Sequence, residues 1–174
     1  MVFLAGRDRY TQRTLLRDVH DRLVNQPGCE TVRYRPSRRR PRFVVTDVET
    51  AVLLGSACDV ERARLEVRFW YPAESDHAYY RINWLEPARD FAVGFHRDGS
   101  HSDLGPCHVQ VDFDGTTVDR RRAAFLDAHP LAVLDMRLQQ LPSVLDSVRW
   151  DDGRPSLGAW SPVRSMRSDR HAGQ

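Results

Sequence analysis

The chain has 174 residues, 41% of them hydrophobic and 29% charged, with a formal net charge of +2. That length suits one domain of ordinary size plus some tail, and no apolar run approaches the ~20 residues needed to span a bilayer, so no membrane partner is expected. The opening string MVFLAGRDRY is too short in apolar residues for a signal peptide, which makes a cytoplasmic protein the expectation.

Between residues 11 and 24, Leu15, Leu16, Val19, Leu23 and Val24 recur at helical spacing with charges between them. Gln26-Pro27-Gly28 ends that helix. A short β-prone piece follows over 30–35. The run from Arg35 to Arg42 (RPSRRRPR) then reads as an exposed loop, because prolines and like charges resist burial. Residues 43–54 carry Val44, Val45, Thr46 and Val48 and read as one strand or a bent pair, with a turn over 55–59.

Four alternating runs come next. Leu65, Val67 and Phe69 alternate with Arg64, Glu66, Arg68 and Trp70, and Tyr80, Ile82 and Trp84 alternate with Tyr79, Arg81 and Asn83. Phe91, Val93 and Phe95 form the third run, and Cys107, Val109, Val111 and Phe113 the fourth. Period two with one apolar face is the signature of an antiparallel sheet covered on one side. The short connections between the runs are rich in Pro, Gly, Asp and Ser and fit a meander.

Asp114-Gly115 closes the last of these strands, and 123–126 read as a short helix broken at His129-Pro130. Leu131, Leu134, Leu138 and Leu141 give a helical stripe able to cover the sheet, which Pro142 interrupts. After Trp150 apolar residues become sparse. The expected fold is α+β: a mostly antiparallel β-meander sheet of about five or six strands, with N-terminal and C-terminal helices packed on one face. Residues 1–150 form that domain, and 151–174 read as a disordered tail.

Strand phase sorts the side chains into two sets. The apolar set is the core, with Cys107 as a buried thiol. The other face carries Arg64, Glu66, Arg68, Tyr79, Arg81, Asn83, His96, His108, Gln110 and Asp112. All 26 basic residues of the chain are arginine, a bias that a GC-rich genome produces. Guanidinium groups also suit bidentate contacts to phosphate, and aromatic rings stack on bases. A solvated sheet surface is the plain reading of this face; nucleic-acid binding by Arg64, Arg68, Arg81 and Tyr79, with Arg38, Arg39 and Arg40 of the arginine run, is the sharper one.

Three of the seven histidines, His96, His101 and His108, fall within residues 91–113, together with Asp98. They are the candidate catalytic groups: RNA cleavage through the ribose 2′-hydroxyl needs a base, an acid and a cation beside the phosphorane, and needs no metal. The same loop, with Asp103, offers donors to a divalent ion, but its Asp-Gly and Gly-Pro steps are equally good turn chemistry, and no metal or other cofactor is assigned. Cys29, Cys58 and Cys107 are dispersed and odd in number, which argues against a disulfide framework or a structural zinc site.

The strings RLEVRFWYP, YYRINWLEP, GFHRDGSHSDLGPCHVQV and HPLAVLDMRL, between Arg64 and Leu138, resemble a group of small haloarchaeal proteins. That group is distantly similar to the TumE-like toxins of toxin–antitoxin pairs. The matched positions are Asp98, His101 and His108. The resemblance implies a toxin-like component acting on RNA or another nucleic acid and neutralised by an antitoxin-like protein partner. A non-catalytic protein-interaction module, docking another protein through its open sheet face or edge, is the alternative.

Overall fold

Seven strands lie side by side in chain order, each antiparallel to the next. They are β1 (Cys29–Pro36), β2 (Pro41–Glu49), β3 (Arg62–Trp70), β4 (Tyr79–Glu86), β5 (Phe91–Arg97), β6 (His108–Phe113) and β7 (Thr116–Arg122). Around them run α1 (Gln12–Val24), α2 (Thr50–Leu54), α3 (Pro130–Ser147) and a separate hairpin of β8 (Val148–Asp151) and β9 (Arg154–Leu157). The computed structural model describes residues 11–55, 59–73, 75 and 77–160. Cys58 and residues 161–174 of the expected tail lie outside them.

Register follows hydrophobic phase. Leu65 faces Thr46 on one side and Trp84 on the other; Trp84 faces Val93, and Val93 faces Val111. All five are buried. A slip of one residue would carry this whole row to the opposite face, so the core locks the pairing. Helix α1 starts where the Thr11 side chain accepts a hydrogen bond from the Thr14 N–H. It buries Leu15, Leu16, Val19 and Leu23 against β1, β2 and β3. Each such side chain contributes about 1.5–3 kcal/mol by leaving water.

Helix α3 covers the same side. His129 caps it, its Nδ1 accepting from the Leu131 N–H, and Val133, Leu134, Leu141 and Val144 enter the common core. The helix continues past Pro142 to Ser147. A proline there forfeits one backbone hydrogen bond, and burial of Leu141 and Val144 on either side offsets that loss.

One polar group sits in this core. Arg137 of α3 is 0% exposed, and its guanidinium donates to the Tyr80 hydroxyl, the Ala124 carbonyl and Gln140 Oε1. It also lies 4.7 Å above the Phe95 ring. No carboxylate faces it among these contacts. Cys107 is buried beside it, with Sγ 3.5 Å from the Tyr80 hydroxyl.

Several local expectations change. The sheet has seven strands, because β7 adds an edge that carries no apolar alternation. Asp114 and Gly115 both take positive φ, the pattern of a two-residue type I′ turn, and that turn feeds β7 back along β6. The arginine run forms the end of the β1–β2 hairpin, with only residues 37–40 outside the strands. Residues 50–54 turn helical as α2, and 123–126 have no helix. Residues 151–157 belong to the β8–β9 hairpin, where Leu157 is buried and Asp119 of β7 accepts from its N–H. Among the described residues, no helix is long and apolar enough to cross a membrane.

Candidate functional site on the open sheet face

With the helices on one side, alternation sends the other set of side chains to the uncovered face. Strand register aligns them into rows. One row reads Arg68, Arg81, His96, His108 and Arg122 across β3 to β7. At ~4.8 Å per strand it spans about 19 Å. The next open-face row reads Glu66, Asn83, Gly94, Gln110 and Arg120. Arg64 lies further along β3 on the same face, with Nε 3.7 Å from Asp47.

Beyond the histidine row, toward the end of β3 and the start of β4, Trp70 and Tyr79 meet edge to face, with ring centroids 5.8 Å apart. The Arg68 guanidinium lies 4.9 Å over Trp70 and that of Arg97 5.5 Å over Tyr79. Arg68 and Arg122 are exposed and have no carboxylate partner among the described residues.

The histidines do not all face water. Strand phase points His96 and His108 to the open face, yet they are 5% and 2% exposed. The three rings pack in a chain: His101 lies edge-on to His108 at 5.0 Å, and His108 edge-on to His96 at 5.3 Å. His101, in the connection between β5 and β6, is the partly exposed member. The expectation that the imidazoles share one wet surface therefore holds for His101 alone.

Burial sets their protonation. His96 is pushed down to about 4, first by loss of hydration and then by His108 and Arg81. Its Nε2–H donates to Asn83 Oδ1 at 2.7 Å, so the neutral ring carries its proton on Nε2. Gly94 makes room for this bond: a Cβ there would stand 2.0 Å from Asn83 Oδ1 and 2.8 Å from the Ile82 carbonyl. His108 is also lowered, by burial first, and its buried Nε2 has no hydrogen-bond partner among the described residues.

Asp98 behaves in the opposite way. Burial alone would raise it, but hydrogen bonds from Ser100 and the Arg81 guanidinium hold it at about 2. Arg81 donates twice to Asp98 Oδ2, at 2.9 and 2.7 Å. Arg81 is thus committed to Asp98, whereas Arg68, Arg120 and Arg122 have no carboxylate partner among the described residues.

The structure gathers Arg68, Tyr79, Arg81, His96, Asp98, His101 and His108 at one end of the sheet. Arg38, Arg39 and Arg40 stand apart in the β1–β2 hairpin, with Arg38 among residues of α1. Sequence reasoning missed Arg120 and Arg122, since β7 shows no alternation; the Asp114-Gly115 turn was the available signal. Among the described residues no group of three or more His, Cys, Asp or Glu could hold a metal ion.

A stability signature follows from His96. Its ordinary value is 6.5, so an unfolded chain takes up the proton as pH falls through that value, while the folded one stays neutral down to about 4. The stabilisation is complete above pH 6.5 and is lost between 6.5 and 4; the Asp98 contribution fades only below that window. The gap corresponds to roughly 3 kcal/mol. Urea unfolding at about pH 7.5 and about pH 4.5 is expected to show at least that loss, and His96→Gln to reduce it to the part that His108 contributes. Equal pH dependence in both proteins would contradict the assignment.

No model of a known protein family, no curated protein and no solved structure matches the chain.

Proposed function

We propose that this protein binds single-stranded RNA across its open sheet face and acts on it at the histidine end, as a toxin-like component held in check by an antitoxin-like protein. The row Arg68–Arg81–His96–His108–Arg122 carries the reading. Among the described residues two of its guanidiniums have no carboxylate partner, and the Trp70–Tyr79 pair beside it offers aromatic surface for bases. Phosphate contacts supply affinity without sequence preference, and stacked rings supply the rest. The likeness of Asp98, His101 and His108 to the TumE-like pattern supports the toxin role.

In this reading His101, the partly exposed member of the trio, accepts the 2′-hydroxyl proton. The 2′-oxygen then attacks phosphorus, and the bond to the 5′-oxygen breaks as that oxygen takes a proton from the His101 imidazolium or from water. Arg122, paired with His108 across β6 and β7, offsets charge on the phosphorane, while Arg68 at the far end of the row holds a neighbouring phosphate. His96 and His108, held neutral, add no positive charge against a His101 imidazolium.

Replacing Arg68 and Arg122 together by Ser is expected to weaken binding of a single-stranded RNA roughly 10- to 100-fold at low salt. It should also reduce the slope of log affinity against log salt by about 1.4, two contacts at ~0.7 each. Fluorescence anisotropy measures both, and unchanged affinity would sink the surface.

A further inference from the structure

A separate group of arginines meets where the β1–β2 hairpin approaches α1. Arg38 lines a cavity of about 260 Å³ with Arg13, Thr14 and Arg17 of α1, Tyr34 of β1 and Pro41 of β2. Three guanidiniums, a phenol and a hydroxyl border it, and among the described residues no carboxylate does. Arg13 and Arg38 make no ion pair among the described residues. Arg17 reaches only Asp18, at 3.5 Å, with its own side chain 64% exposed.

This arrangement opposes local stability in two ways. Arg13 and Arg17 are one turn apart on the same helix face, where like charges repel. Arg13 also stands in the first turn of α1, at the positive end of the helix dipole, and that turn holds no acidic residue. Among the described residues only Asp18, 3.5 Å from Arg17, offsets either cost, and Arg13 has no such partner. Tyr34 is fixed as one wall, because His20 stacks on it at 4.5 Å with the planes 6° apart.

We propose that this cavity is a binding site for a phosphate monoester dianion. The dianion would accept hydrogen bonds from Arg13, Arg17 and Arg38 and from the Thr14 or Tyr34 hydroxyl, removing the repulsion among the three cations. The cavity is smaller than those that enclose whole drug-sized ligands, so it takes the phosphoryl group and leaves the remainder of the ligand outside. That group belongs either to a small phosphorylated molecule or to the 5′-phosphate end of a nucleic-acid strand.

The test is thermal melting of the full chain titrated with inorganic phosphate, against chloride at matched ionic strength. Phosphate is expected to raise the melting temperature with a dissociation constant of about 1 mM or tighter, and chloride is not. Arg13→Gln and Arg38→Gln should each weaken the phosphate effect roughly tenfold. Without phosphate, Arg13→Gln should melt no lower than the wild-type chain, an outcome that a purely structural arginine would not give.

The Arg68→Ser/Arg122→Ser protein should respond to phosphate normally, which separates this site from the open face. Preference for a 5′-phosphorylated RNA over the same strand with a 5′-hydroxyl assigns the site to strand ends; tight binding of a nucleoside monophosphate without that preference assigns it to small ligands. Equal stabilisation by chloride, or an undiminished phosphate response in both arginine variants, would overturn the proposal.

Discussion

The His101→Ala protein is expected to lose RNA cleavage by a factor on the order of 10²–10⁴ while holding the same RNA as tightly as the wild-type chain. The asymmetry comes from burial. His96 and His108 are 5% and 2% exposed and sit beneath the partly exposed His101, so a ribose hydroxyl meets His101 first. On the proposed reading, affinity resides in the neighbouring guanidiniums and aromatic rings, which the substitution leaves in place. Gel analysis of end-labelled RNA with the pure protein checks the rate, and anisotropy checks the affinity. Undiminished cleavage by His101→Ala would remove this side chain from the chemistry. His96→Gln, by contrast, acts chiefly on stability, because His96 is locked to Asn83 at 2.7 Å.

Arg137→Ala is expected to cost about 4 kcal/mol, a large share of the 5–15 kcal/mol that holds a typical domain together. Two losses add. The deleted side chain leaves a cavity next to Phe95 and Tyr80. The Ala124 carbonyl, which now accepts at 2.6 Å, is left without that donor in a part-buried setting, and the Tyr80 hydroxyl loses two. At 2–4 °C per kcal/mol, the melting temperature should fall by roughly 8–16 °C. Arg137→Met fills most of the volume and carries no charge to desolvate, so it should cost less than half as much. Calorimetry of the two variants distinguishes the cases. Arg137→Met as damaging as Arg137→Ala would show that the hydrogen bonds, and not the space, dominate.

The central strands were legible from the chain because each has one buried face. Leu65, Val67 and Phe69 in β3, and Val109 and Val111 in β6, all point into the core as their alternation implies. Helix α1 was legible for the same reason at period 3.6. Strand β7 was not: as an edge strand with the sequence TTVDRRR it buries little, so hydrophobic phase says nothing about it. The continuation of α3 past Pro142 was also hidden, since local propensity argues for a break and only tertiary burial of Val144 overrides it.

The site was half legible. Phase placed His96, His108, Arg68 and Arg81 correctly on one face, and the register confirms their row. Phase gives no information about depth, however. The close packing of His101 against His108, and of His108 against His96, is a loop and neighbour effect that alternation cannot express. The pairing of Arg81 with Asp98 was likewise out of reach, because it joins a strand to a loop seventeen residues away.

Titrating isotope-labelled protein with a short 5′-hydroxyl single-stranded RNA, and following amide and indole resonances by NMR, asks directly where the nucleic acid sits. Perturbations at Arg68, Trp70, Tyr79, His101 and Arg122, with the outward residues of α1 and α3 unmoved, are the expected pattern. Shifts confined to the helices, or none at saturating RNA, would leave the uncovered side of the sheet without a ligand.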